Sequence, residues 1–273
     1  MKMKKATNIL TIIALIIIIV LIGTVCYGYY KNATMEVKNP IVTMEVQDFG
    51  TIKLELYPEM APETVSNFIA LAQNGFYDGL KFHRVVDGFM IQGGDKNGDG
   101  SGSPTLKDIG IEENGDNEYC IPGEFLANGD NDNKLKHKEG VISMDRSDYT
   151  QQYGDSLTTE SYNSAGSQFF IMTADNEGLD GYYAAFGKVI EGMDVVHNIE
   201  KVEVKAATEE ETTDSSENSE DTEVSTPVND VIITKVTVET YGVDYGKPNT
   251  LEPWDYYDWI YQTYGIDLRG YEG

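Results

Sequence analysis

A chain of 273 residues with 40% apolar side chains can bury the core of one large domain or two small ones. Its 46 acidic and 20 basic side chains leave a formal charge of −26, which repels a phosphate backbone and excludes nucleic acid as a partner. Cys26 and Cys120 are the only cysteines, and the first lies in an apolar run, so they define no disulfide framework and no redox centre.

The first element is the run Ile9 to Val25, ILTIIALIIIIVLIGTV, which carries no charge and follows Lys2, Lys4 and Lys5. Its length approaches the ~20 residues that cross a hydrocarbon layer, and its exit, TVCYGYYKNAT, has no A-x-A cleavage pattern. Residues 1–30 are therefore read as a cytoplasmic stub and an uncleaved transmembrane anchor, with Tyr27, Tyr29 and Tyr30 as an interfacial belt. The lysines before the span place the N-terminus in the cytoplasm and everything after it outside. Secretion after signal cleavage is the alternative.

After a linker at residues 31–39, IVTMEV and TIKLELY alternate apolar and polar around a turn at Asp48 to Gly50, which predicts a β-hairpin. Pro62 and Glu63 open an amphipathic helix with Val65, Phe68, Ile69 and Ala72 on one face and a stop at Asn74-Gly75. Strand-like runs follow at KFHRVV, FMIQGG, GVISM, SQFFIMT and AAFGKVI, between Gly, Asn and Asp clusters. Many short strands with few helices predict a mainly β fold, a closed barrel. Residues 204–228 are acidic and hydroxylated, with no basic side chain from Ala206 to Pro227, and read as a disordered insert before the last strand, VIITKVTVE. The domain thus spans 40–240. The tail at 241–273 is aromatic, with Pro253 at a helix start and Trp254, Tyr257 and Tyr261 on one face; it packs on its own domain or docks another protein, and the first is the commoner arrangement.

No metal is expected, because His83, His137 and His197 lack ligand spacing. Asp95 to Gly100 imitates the start of a calcium loop, but Leu106 occupies the twelfth position, where a bidentate glutamate is required, so the segment is a glycine-rich turn. No G-x-S-x-G elbow marks a nucleophile.

Four segments carry a specific pattern: FHRVVDGFMIQGGD from Phe82 to Asp95, LKHKEGVISM from Leu135 to Met144, NSAGSQFFIMT from Asn163 to Thr173, and LDGYYAAFGKV from Leu179 to Val189. In this order they resemble the cyclophilin family of peptidyl-prolyl isomerases, over about Pro40 to Glu239. The resemblance implies a closed eight-stranded antiparallel barrel capped by two helices, the second near Met193 to Ile199, and a groove for Xaa-Pro polypeptides. It maps the catalytic arginine onto Arg84 and the backbone-binding glutamine onto Gln92. Phe89, Met90, Phe170 and Leu179 form the proline pocket, with Phe82 and Tyr183 counted among the substrate-binding residues. No cofactor is implied, and a monomer is expected.

The residue types suit that reaction. Twisting an Xaa-Pro amide removes its conjugation, so a donor aimed at the prolyl nitrogen stabilises the twisted state more than the planar one, and Arg84 supplies it. An apolar pocket holds the ring while Gln92 fixes the adjacent backbone. Taken alone, without the resemblance, Phe89, Phe170 and Leu179 sit in strand-like runs and read as ordinary core. Three positions depart from the family pattern: Gly178 where a large residue is common, Tyr183 where histidine is common, and Asp145 where alanine is usual. The Asp145 carboxylate either orients Arg84 or draws it from the substrate. The loops Ser103 to Asn117 and Ser147 to Tyr162 are long, and the second leads into the strand of Phe170. The expected function is a membrane-tethered foldase for exported proteins. Its rival is a peptide-binding module with weakened catalysis, which Gly178 and Asp145 favour and the intact Arg84, Phe89, Gln92 and Phe170 set opposes.

Overall fold

The computed structural model describes residues 15–28, 38–205 and 225–269. The chain divides into two units, Met1–Lys38 and Asn39–Gly273. In the first, residues 15–28 are helical (α1). Among the described residues no helix is long and apolar enough to cross a membrane. The anchor expected at Ile9 to Val25 falls partly on residues 9–14, which lie outside the described residues, as does most of the linker.

The second unit is built from eight strands: β1 Ile41–Val46, β2 Gly50–Leu56, β3 Lys81–Val86, β4 Met90–Gly93, β5 Val141–Met144, β6 Phe169–Met172, β7 Ala185–Glu191 and β8 Val231–Glu239. They close into an antiparallel barrel in the order β1-β2-β7-β5-β6-β4-β3-β8, which leaves no sheet edge unpaired. The helices are α2 Pro62–Gln73, the short α3 Thr150–Tyr153 and α4 Thr158–Tyr162, α5 Met193–Glu200 and α6 Tyr256–Tyr264. α2 packs on β8, and α5 on β2, β3 and β4. The hairpin turn forms where Asp48 and Gly50 adopt positive φ of 63° and 129°.

Pro62 stands in the first turn of α2, where its missing N–H is no loss, and Glu124 reaches in from a distant loop to accept the N–H groups of Glu63 and Thr64 at 2.9 and 2.7 Å. The helix differs from expectation in being buried continuously from Thr64 to Ala72. The loop containing Ile109 and Tyr119 covers its outer side, with the Tyr119 hydroxyl donating to Asn67 Oδ1 at 2.6 Å. The barrel interior is aromatic: the Phe68 ring lies 4.8 Å from Tyr77, 5.8 Å from Phe169 and 5.4 Å from Phe186.

The tail returns to the domain. Cys120 and Leu251 pair, Asn249 bonds the Glu63 carboxylate, and Trp254 stacks on Tyr149 and Tyr153 at 4.6 and 5.1 Å. Its helix starts at Tyr256, later than Pro253, because Asp255 is the N-cap and accepts from the Asp258 N–H at 2.7 Å. Trp254, Tyr256 and Trp259 form the packed cluster with Tyr153, whereas Tyr261 is exposed. Of the insert expected to be disordered over 204–228, residues 206–224 lie outside the described residues, whereas 204–205 and 225–228 are paired by backbone hydrogen bonds, so the insert is shorter than expected. At its base, Val204 bridges Pro227.

Candidate active site

Strands β4, β5 and β6 bury both faces. Ile91, Ile142, Phe169 and Ile171 point into the barrel core. Met90, Val141, Phe170 and Met172, their alternates, form a second apolar cluster on the outside with Phe89, Leu179 and Tyr183 at its border. This outer cluster floors a groove of about 170 Å³ lined by Arg84, Phe89, Met90, Gln92, Asp145, Phe170, Leu179 and Tyr183. Cavities of about 150 Å³ hold a benzene-sized ring, so the space matches a pyrrolidine.

The structure therefore brings together seven of the eight site residues expected from sequence and leaves out Phe82. Its ring is fully buried in the barrel core, 6.1 Å from Phe169. The reason is local. Phe82 and Val85 are three residues apart and would face opposite ways on a regular strand, but the register shifts between Phe82 and Arg84, so both enter the core. The same irregularity turns Arg84 outward, opposite Gln92 on β4.

The polar part of the groove is one network. Arg84 Nη1 donates to Gln92 Oε1 at 3.2 Å and touches Met90 Sδ at 3.8 Å. Gln92 Nε2 donates to Asp145 Oδ2 at 2.8 Å and to Gln168 Oε1 at 3.2 Å. Gln168 Nε2 in turn donates to the Gly100 carbonyl at 2.9 Å. Burial pushes the Asp145 carboxyl up to about 6, against the opposing pull of the Arg146 backbone N–H, Arg84, the Arg146 charge and Gln92.

The Asp95 loop is a brace. Its carboxylate accepts the N–H groups of Asp99, Gly100 and Gly102 at 2.8, 3.0 and 2.6 Å. A Cβ on Gly102 would lie 2.6 Å from both Asn97 N and Asp95 Oδ1, so only glycine fits there. Gly178, in the turn that leads to the groove residue Leu179, has its N–H capped by the Asn176 side chain at 2.9 Å and does not itself line the groove.

Two supporting residues escaped the reading of the sequence. His137, considered there only as a metal ligand, is buried and stacks on Phe170 at 6.1 Å with 21° between planes. Its Nδ1 lies 3.2 Å from Asp180 Oδ1 and its Nε2 3.1 Å from Ser143 Oγ. Burial lowers its pKa against the opposing pull of Asp180 and favours the neutral ring, in which Nδ1 donates to the carboxylate, which only accepts, and Nε2 accepts from Ser143. Arg146 is the second. Its guanidinium packs over Tyr183, Tyr162 and Phe125 at 4.8, 5.0 and 5.7 Å, donating Nε to the Tyr182 carbonyl at 3.1 Å. The signal for both was present, a histidine and an arginine beside motif residues, but not the burial of His137 or the aromatic cage around Arg146.

Residues 41–238 match the family model described as cyclophilin type peptidyl-prolyl cis-trans isomerase. The peptidyl-prolyl cis-trans isomerase B of Bacillus subtilis is 36% identical over 159 residues, covering 58% of this chain and 90% of that protein. A peptidyl-prolyl cis-trans isomerase of Synechococcus elongatus is 40% identical over 139 residues, or 51% of this chain and 73% of the relative. Some relatives are much longer: the Arabidopsis thaliana peptidyl-prolyl cis-trans isomerase CYP71 is 38% identical, but the match spans 20% of its length. A crystal structure of a Cryptosporidium parvum cyclophilin type isomerase, obtained in the presence of the dipeptide Ala-Pro, superposes with a TM-score of 0.53 over 73% of this chain and 98% of that one, at 24% identity, and shares the fold. The barrel, the groove on its outer face and the match across the whole domain together establish that this chain belongs to the family of cyclophilin-type peptidyl-prolyl cis-trans isomerases.

Proposed function

We propose that the domain accelerates rotation about Xaa-Pro bonds in proteins exported across a bacterial-type cytoplasmic membrane, acting as a monomer from an N-terminal anchor. The observation that carries the catalytic part is the Arg84 guanidinium, held by Gln92 Oε1 at 3.2 Å at the rim of an apolar groove. The pyrrolidine ring enters the groove against Phe89, Met90, Phe170 and Leu179, and Tyr183 closes one side. Fixing the ring confines rotation to the residue before it. As the amide twists, the nitrogen lone pair localises and accepts from Arg84, an interaction the planar ground state makes poorly. The uncatalysed barrier is about 18–20 kcal/mol, and no bond is broken. The anchor and the outward orientation rest on the apolar run at Ile9 to Val25 and the lysines before it.

A second reading, peptide binding with slow turnover, has one observation in its favour: both Gln92 N–H groups are engaged, by Asp145 and Gln168, and must be released to grip a substrate carbonyl. A proline-isomerisation assay of the full chain on Xaa-Pro peptides, with Arg84→Ala alongside, separates the two. Acceleration lost in the variant supports the isomerase, and peptide binding without acceleration supports the module. Protease accessibility of the domain in sealed membrane vesicles tests the topology.

A further inference from the structure

Asp145 borders more than the groove. On its other side lies a second cavity of about 130 Å³, walled by the Ser101 to Pro104 turn, Ser147, Tyr149 and Gln168, and completed by Cys120 and by Pro253 of the tail. Two of these walls lie outside the four motifs: Tyr149 belongs to the long loop Ser147 to Tyr162, and Pro253 lies beyond the family match, which ends at 238. A peptide with its proline in the groove must leave across Asp145 or away from it, and Asp145 is common to both spaces.

The lining of this second cavity carries one acidic side chain, Asp145, and one basic side chain, Arg146. Of its charged lining residues, Arg146 has its guanidinium drawn away into the Tyr183, Tyr162 and Phe125 cage, with Nη1 donating to the Ser147 carbonyl at 3.2 Å. Asp145 is the one anionic side chain in the lining, and the Arg146 and Arg84 charges both act on it. The carboxylate accepts from Gln92 and from the Arg146 backbone N–H, and an ionised carboxylate offers about four acceptor sites, so capacity remains for a cation. The other titratable groups facing it are Arg84 on β3, Arg146 and Tyr183, while Lys81, His83, Asp99 and Lys205 lie across a third hollow that Asp145 also borders.

Resting on the isomerase reading above, we propose that Asp145 is a specificity-determining residue that selects Xaa-Pro segments with a lysine or arginine flanking the proline, the basic side chain occupying the cavity completed by the tail. The protein's net charge of −26 assists by raising the local concentration of basic segments. An ammonium in the cavity also stabilises the ionised form of Asp145, which burial alone disfavours.

The test is kcat/KM of the full chain on three peptide series, with Lys, Ala or Glu directly before the proline, one position earlier, or directly after it. At one position, Lys is expected to exceed Glu by about tenfold at low salt, a size typical of a part-buried charge pair. Asp145→Asn keeps an acceptor for Gln92 and removes the charge, and the Lys-to-Glu ratio within that variant is expected to fall below about twofold. Independently of any variant, the wild-type ratio should shrink as pH is lowered through about 6, where Asp145 takes up its proton. Turnover of the Ala peptides with no charge preference at any position, or a preference that persists in Asp145→Asn, overturns the assignment while leaving the isomerase intact. No acceleration of any peptide overturns the isomerase reading and this inference with it.

Discussion

Phe169 and Phe170 are adjacent on β6 and face opposite ways. Phe169 is fully buried among Phe68, Tyr77 and Phe82 inside the barrel, and Phe170 sits in the outer cluster against His137 and Tyr183. Their exposures, 0% and 5%, scarcely differ. What differs is the neighbourhood: the inner ring is surrounded by protein, and the outer one has space on one side for a substrate ring. Burial alone thus does not separate scaffold from site, whereas the strand's two-residue alternation does.

The largest effect is expected where that comparison is broken from the inside. Phe169→Ala should destabilise the domain by about 3–5 kcal/mol in a denaturant titration, because the surrounding aromatic rings cannot collapse onto the void. Arg84→Ala, on the outer face, should leave the unfolding midpoint nearly unchanged and lower kcat/KM by about 10²–10³, the usual loss when a donor to the transition state is removed. Phe170→Ala lies between the two: a folded protein whose KM for Xaa-Pro peptides rises while the effect on kcat is smaller, since ring binding is shared by ground and transition states. A Phe170→Ala chain as unstable as Phe169→Ala would dissolve the distinction.

Asp145 sharpens the comparison through pH. Its native pKa of about 6 lies above the ordinary aspartate value, so the unfolded chain gives up the proton first and binds fewer protons than the native state between about pH 4 and 6. Native stability falls as pH rises through that window, and the penalty is complete above it. Asp145→Asn should therefore stabilise the protein by about 1–3 kcal/mol at pH 8, a gain that disappears below about pH 4. The smallest effect is expected beside the groove: Asn176→Ala removes the cap on Gly178 N–H and should cost about 1 kcal/mol or less, measured by thermal unfolding.

Much of this was legible in the sequence because the signals are local. The strands alternate, α2 begins at a proline and ends at Asn-Gly, and the four motifs place Arg84, Gln92, Phe89 and Phe170 in one family's groove. Phe82 was misassigned because a bulge leaves no mark in composition; only the register with β4 reveals that Phe82 and Val85 share a side. α2 appeared amphipathic because its polar residues Thr64 and Asn67 meet partners from remote loops, Glu124 for Thr64 and Tyr119 for Asn67, and long-range partners have no sequence spacing. The role of Asp145 was undecidable for the same reason: its partner Gln92 lies on another strand.

The base of the acidic insert has a consequence for how this domain can be altered. Val204 bridges Pro227, Lys205 N–H meets the Thr226 carbonyl at 2.8 Å, Val228 N–H meets the Glu203 carbonyl at 2.8 Å, and the Ser225 carbonyl receives Val85 N–H at 2.7 Å. The chain leaves and re-enters through a clamped doorway tied to the strand that carries Arg84. With the two ends pinned together, doubling the length between them adds only about 0.6 kcal/mol of closure entropy. That doorway is therefore a splice point, where a foreign segment or a reporter domain whose own termini lie close together can be exchanged for the native one without resetting the register of the barrel.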